Sequence, residues 1–234
     1  MEIKNHQVHV WQTDVCNSTV YPKDIQKVLS PVELERVNKF RVPKDQAHFI
    51  FRHYKLRVIL SLYCGCQPQN LIFRYNSFGK PFIDMPEFNE VRFNMSFSGN
   101  LMILGISRQN NIGCDIEEVR EIDDQRNIAN ENFSTQEIQI LNHSNDEIGT
   151  FFKIWTRKEA LIKAIGKGMF YPLKSFTVNM DPLGGPEHLL IIDNTDESKL
   201  WRTTPLNISD GYIASLAIES DEFQISYFKQ SDKF

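Results

Sequence analysis

The chain has 234 residues, 41% of them hydrophobic, and a formal net charge of -4. That is enough to bury the core of one large domain or of two smaller ones, and the charge argues against nucleic-acid binding as the main activity, because a phosphate backbone calls for a basic surface. No apolar run approaches the roughly 20 residues of a membrane helix, the polar opening lacks a signal-peptide core, and the cysteines Cys16, Cys64, Cys66 and Cys114 have neither zinc nor redox spacing, so a soluble cytoplasmic protein with reduced thiols and no membrane partner is expected.

Both helix and strand signals recur, which predicts an α+β fold. Val8-His9-Val10-Trp11 alternates as a strand. Ser30-Pro31 with Glu33 marks a helix start, serine capping and glutamate returning to the cap, and this helix runs to about Phe40. A longer helix is expected from about Lys44 to Tyr63, stopped by Cys64-Gly65. Leu71 to Tyr75 reads as a strand, Asn76 to Pro81 as a turn, and Phe82-Ile83 as the returning arm. Phe93 to Gly99 and Leu101 to Ile106 read as two strands of a meander. The polar turn Arg108 to Asn111 suggests a boundary between two halves, residues 1–109 and 110–234. The second half opens with a strand from Ile112 to Glu117. Helices follow at about Asp123 to Asn132, Thr135 to Asn142 and Glu147 to Ile165, the last stopped by Gly166. Short strands are then expected at Ser175 to Asn179, Leu189 to Ile192, Leu200 to Thr204, Tyr212 to Ile218 and Gln224 to Phe228.

Chemistry concentrates in two segments. On the strand Gly113-Cys114-Asp115-Ile116-Glu117, the period of two puts Asp115 and Glu117 on one face and Ile116 on the other. Two carboxylates side by side repel unless a cation stands between them. On the helix from Glu147, Trp155, Glu159 and Lys163 lie four residues apart and form one stripe. If that helix packs beside the strand, Glu159 adds a third oxygen ligand. Three carboxylates suit Mg²⁺, which is hard and shares its shell with phosphates. Lys163, one turn on, is then placed to hold a phosphate.

These segments resemble the paired signatures of the Sfp-type 4′-phosphopantetheinyl transferases, the stretch Trp155…Lys158-Glu159-Ala160 being similar to the W-K-E-A branch. The resemblance extends to Val8-His9-Val10-Trp11, to Gly79-Lys80-Pro81, to Phe93-Asn94-Met95-Ser96-Phe97-Ser98-Gly99, to Phe133-Ser134 with Glu137, and to Gly166-Lys167-Gly168. It implies two similar α+β half-domains in a pseudo-twofold arrangement, acting as a monomer, with the site in the cleft between them. The implied reaction moves the phosphopantetheine arm of coenzyme A to a serine of an apo acyl or peptidyl carrier protein and releases adenosine 3′,5′-bisphosphate. Asp115, Glu117 and Glu159 are the implied Mg²⁺ ligands, and Lys163 neutralises pyrophosphate charge. Glu137 is the implied proton acceptor, with Glu117 or a metal-bound water as alternatives. Arg36, His48 and Lys80 match the nucleotide contacts, and the hydroxyls of Ser96 and Ser98 are available to the nucleotide. Arg57 looks structural. Phe97 stands where the family usually has a histidine against the pyrophosphate, and Phe97→His is expected to keep or raise activity. Carrier docking falls to the Met169-Phe170-Tyr171-Pro172 segment. Two other readings use the same residues: a Mg²⁺-dependent phosphohydrolase, and a binding protein without turnover.

Overall fold

The structure is a computed structural model that describes residues 1–15, 25–168, 171–180, 187–188, 190–191 and 201–229. Cys16, Met169, Phe170, Leu189, Ile192 and Leu200 lie outside these residues. The strands of the first half are β1 (Gln7–Asp14), β2 (Phe73–Tyr75), β3 (Pro81–Ile83), β4 (Val91–Ser98) and β5 (Leu101–Arg108), and its helices are α1 (Pro31–Val37) and α2 (Pro43–Cys64). The second half has strand β6 (Ile112–Glu118) and helices α3 (Gln125–Asn132), α4 (Thr135–Asn142) and α5 (Glu147–Ile165). It closes with β7 (Phe176–Thr177), β8 (Glu187–His188), β9 (Leu190–Ile191), β10 (Trp201–Pro205), β11 (Tyr212–Glu219) and β12 (Gln224–Lys229). The fold is α+β, as expected.

Local rules place the helix ends. The Ser30 side chain accepts from the Glu33 N–H while Glu33 accepts from the Ser30 N–H, a reciprocal capping box that starts α1. Pro43 begins α2, and Gly65 ends it at φ 58°, a left-handed conformation that glycine adopts without penalty. Arg57 is structural: its guanidinium donates to Glu33 and to the carbonyls of Pro68 and Leu71. Cys64 and Cys114 are buried and unpaired, Cys66 is half-buried, and burial pushes the Cys114 thiol up to about 12.

Two four-stranded sheets form, in the orders β12-β1-β5-β4 and β6-β11-β10-β8. Val8, Val10, Leu101 and Ile103 of the first sheet pack against Ile112, Cys114, Ile116, Ala214 and Leu216 of the second, giving a shared apolar layer. The outer face of the first sheet packs on α2, through Trp11, Phe93 and Leu104 against Phe51, Leu56 and Leu60. The outer face of the second packs on α5. The last strand, β12, does not join the second sheet; it pairs with β1 in parallel, Gln7 opposite Gln224 and Gln12 opposite Lys229. The edge strands β4 and β6 lie side by side, and there the functional residues converge.

Candidate active site

Gly113 sets the geometry. A methyl group added there would lie 2.1 Å from the Ala160 carbonyl oxygen and 2.3 Å from the Ala164 nitrogen. Only the absent side chain lets the backbone of α5 rest on β6. Residues two and four further along β6, Asp115 and Glu117, share the face of Gly113, so they point at the same helix. Ile116 points into the apolar layer between the sheets and is fully buried. Glu159 and Lys163 come from the facing stripe of α5.

Lys163 Nζ stands 2.5 Å from Asp115 Oδ1 and 3.0 Å from Ser96 Oγ. Ser96 Oγ in turn donates to Asp115 Oδ1 at 2.9 Å, and Ser98 Oγ donates to Glu117 Oε2 at 2.8 Å. The two serines expected at the nucleotide thus donate to the carboxylates. Together with Asn94, whose side chain accepts from the Cys114 N–H at 2.9 Å, they tie β4 to β6 through alternate side chains. Phe93 and Met95 point to the α2 side.

The electrostatics are those of three acids acting on one another and on one base. Burial raises the pKa of Asp115, with Lys163 and Ser96 pulling the other way. Glu159 is raised by burial and then by the charge of Asp115. Glu117 is also raised, by burial first and by Asp115. Burial opposes the charge on Lys163, but Asp115 and Glu159 carry its pKa above the ordinary lysine value. Asp115 Oδ2 is buried and has no hydrogen-bond partner. An orphaned carboxylate oxygen among mutually repelling acids fits a hard cation. As the side chains are placed, no three acidic, histidine or cysteine groups among the described residues are gathered closely enough to hold one; the ammonium of Lys163 stands against Asp115 instead.

Glu137, expected as the proton acceptor, is elsewhere. It is fully buried, and its oxygens accept from Lys158 Nζ, the Ser134 N–H and the Val178 N–H, at 2.7–2.8 Å. Lys158 is equally buried, donates also to the Phe176 carbonyl, and lies 4.2 Å from the Phe176 ring centre. A carboxylate this enclosed has no open side toward a substrate, so the F-S-x-x-E match is a capping box plus a buried ion pair that fastens α4 to α5. Sequence reasoning held the clue, since Ser134 and Glu137 repeat the spacing of Ser30 and Glu33. The inward role of Lys158 had no such signal.

Lys80 also departs from expectation. Its Nζ donates to the carbonyls of Ile112 at 3.0 Å and Ala164 at 2.8 Å, joining the β2–β3 hairpin to the start of β6 and the end of α5. Burial pulls its pKa down to about 8. A cavity of about 290 Å³ lies beside it, lined by Pro81, Phe82, Arg92 and Ala164 but by none of the clustered carboxylates. Arg36 is exposed, donates to the Tyr75 hydroxyl at 3.3 Å and stacks near Phe49. His48 lies on α2, its pKa lowered by burial and by the charges of Arg52 and Lys44. Tyr171 and Pro172, from the expected docking segment, precede a short 3-10 turn at Leu173–Ser175.

Comparison with known proteins agrees with this geometry. The 4′-phosphopantetheinyl transferase superfamily profile matches residues 111–217, which span β6 and α5 and reach into β11. The chain is 28% identical to the 4′-phosphopantetheinyl transferase HetI of a Nostoc species over 97% of its own length and 94% of that protein. It is 32% identical to the transferase psf-1 of Bacillus pumilus over 69% of its length and 70% of that protein. It is 30% identical to the transferase Sfp of Bacillus subtilis over 65% and 66%. With a superfamily profile on the carboxylate strand β6 and on α5, and relatives that align along most of its length, the chain belongs to the 4′-phosphopantetheinyl transferase superfamily.

Proposed function

We propose that this enzyme transfers the 4′-phosphopantetheine arm of coenzyme A to a serine hydroxyl of an apo carrier protein, releasing adenosine 3′,5′-bisphosphate. The observation that carries the reading is the cluster itself: Lys163 clamped on Asp115, an orphaned Asp115 oxygen beside it, and Glu117 and Glu159 within electrostatic reach.

Asp115, Glu117 and Glu159 would hold Mg²⁺. When bound, that ion supplies a Lewis acid for the pyrophosphate oxygens. The protein residues do the rest. Lys163 places a positive charge where charge develops on the departing bisphosphate as the P–O bond breaks. Ser96 holds Asp115 and Ser98 holds Glu117, so both carboxylates are oriented before substrate arrives. Glu117 takes the serine proton in this scheme. It is only half-buried, and Ser98 occupies its Oε2 alone. Glu137 is left with a folding role. Arg36 and His48 take the nucleotide end, and Lys80 supports that end by fixing its hairpin. Residues 1–109 supply the nucleotide side and 110–234 the metal and catalytic side, with β12 serving the first sheet.

Intact-mass measurement of an apo carrier protein incubated with coenzyme A, Mg²⁺ and the enzyme tests the proposal. The expected result is a mass gain of one phosphopantetheine arm, lost when the metal is chelated and lost with Asp115→Asn. Coenzyme A cleavage without any gain on the carrier would identify a hydrolase instead. No gain across fatty-acid, polyketide and peptide carriers would overturn the reading.

A further inference from the structure

Phe97 is 47% exposed although it sits on a strand whose neighbours Phe93, Asn94 and Ser96 are buried. Exposed aromatic surface on an otherwise packed strand calls for a partner. The partner is Arg52 of α2, whose guanidinium carbon lies 3.4 Å above the centre of the Phe97 ring. Stacked in this way, a guanidinium keeps its in-plane N–H groups free for an anion. Among the described residues Arg52 is in no ion pair; Asp45 is the acid whose charge acts on it. Lys44, His48 and Arg52 follow one another at intervals of four along α2, so the charges of Lys44 and Arg52 flank His48 on one face and, after burial, hold its pKa down. Across β4 from this face, the residues flanking Phe97 hold Asp115 and Glu117.

We propose that Arg52, stacked on Phe97, binds a phosphate group of coenzyme A and supplies the hydrogen-bond donor that the Phe97 ring itself lacks. This rests on the transferase reading above. Phe97 is then half of a two-residue anion clamp: the ring supports the guanidinium, and the arginine provides the charge and the bidentate N–H pair. Lysine cannot replace this arginine fully, because a point charge neither stacks nor forks.

The test is calorimetric binding of coenzyme A and of 3′-dephospho-coenzyme A to the full chain and to Arg52→Leu, Arg52→Lys and Phe97→Ala. Removing a charge-assisted contact should weaken coenzyme A by roughly 10- to 100-fold in Arg52→Leu. Arg52→Lys should recover part of the loss. Phe97→Ala should weaken binding less, and adding it to Arg52→Leu should cause no further loss, since the pair acts as a unit. A loss confined to coenzyme A assigns the 3′-phosphate, and a loss shared with the dephospho form assigns the pyrophosphate. Arg52→Leu within twofold of the parent overturns the inference while leaving the transferase reading untouched. A parent chain that binds no coenzyme A overturns the reading itself. Should Arg52→Leu fail to fold, Phe97→Ala and Arg52→Gln carry the comparison, and unchanged affinity in both refutes the clamp.

Discussion

Gly113→Ala is the sharpest perturbation of this site, because it touches no functional group. The added methyl would fall 2.1 Å from the Ala160 oxygen and 2.3 Å from the Ala164 nitrogen, both backbone atoms that no rotamer change can move. Ordinary contact begins near 3.4 Å, so α5 must retreat by about 1 Å in an interior packed to crystal-like density. Overpacking of this kind costs about 1–3 kcal/mol, which for a chain of this size lowers Tm by roughly 2–10 °C. The functional effect should be larger. Glu159 and Lys163 ride on α5, and a displacement of about 1 Å at a reacting centre is worth on the order of 100-fold in rate. The expected outcome is a folded protein, at a temperature well below its Tm, whose carrier modification by intact mass is slowed by one to two orders of magnitude. The 2.5 Å contact between Lys163 and Asp115 should lengthen in parallel. A variant with parental Tm and turnover within threefold would refute the claim that this glycine sets the distance between strand and helix.

Other outcomes follow from the same contacts. Glu137→Ala leaves Lys158 as a buried cation without its carboxylate, so it should lose about 3–5 kcal/mol of stability by denaturant titration; a folded, fully stable variant with collapsed turnover and no acidic limb in its pH–rate profile would instead restore Glu137 as proton acceptor. Burial raises the Glu33 pKa, but His53, the Ser30 N–H and Arg57 outweigh it and hold the group at about 2. A depressed carboxylate stabilises the fold above its ordinary value near 4.5, and that contribution, about 3 kcal/mol at most, is lost as pH falls from 4.5 toward 2. Glu33→Gln should flatten that part of the stability curve, and an unchanged acid slope would count against the assignment. The slope has the same sign for Lys80, in a higher window: with its pKa depressed to about 8, the unfolded chain binds the extra proton, so stability should rise with pH from about 8 toward the ordinary value of 10.5. Lys80→Met should remove this rise and lower Tm through two orphaned carbonyls, whereas a pure loss of coenzyme A affinity at parental Tm would return Lys80 to the nucleotide.

What was legible in the sequence was local. Apolar patterning and local breakers located β1, β4, β5, β6 and the helices α1 to α5, because runs of apolar residues mark buried faces and the caps Ser30, Gly65, Ser134 and Gly166 are local chemistry. The pairing of Asp115 and Glu117 with Glu159 and Lys163 followed from side-chain periodicity plus one assumption, that the helix packs on the strand; Gly113 is the physical reason it does. Side-chain partners were not legible. Lys158 and Lys163 lie in the same helix and are chemically alike, yet one is sealed against Glu137 and the other faces Asp115. The difference is about 140° around the helix axis, and a sequence of charged residues does not say which face an adjoining α4 will cover. Ser96 and Ser98 were likewise visible as hydroxyls, but their use depends on β4 and β6 being adjacent edges of different sheets.

The parallel pairing of β12 with β1 has a consequence for how this molecule comes to be. More than 200 positions separate the paired strands in the chain, so the first sheet stays incomplete until nearly all of the described strands have left the ribosome. Until then the exposed side of β1, with Trp11 awaiting the Phe228 ring that stacks on it at 4.9 Å, is an open edge able to recruit any extended segment. The slowest step of folding should therefore be this closure, set by a loop of high contact order. A fragment that stops before Gln224 would keep every residue of the carboxylate cluster and still be prone to aggregate.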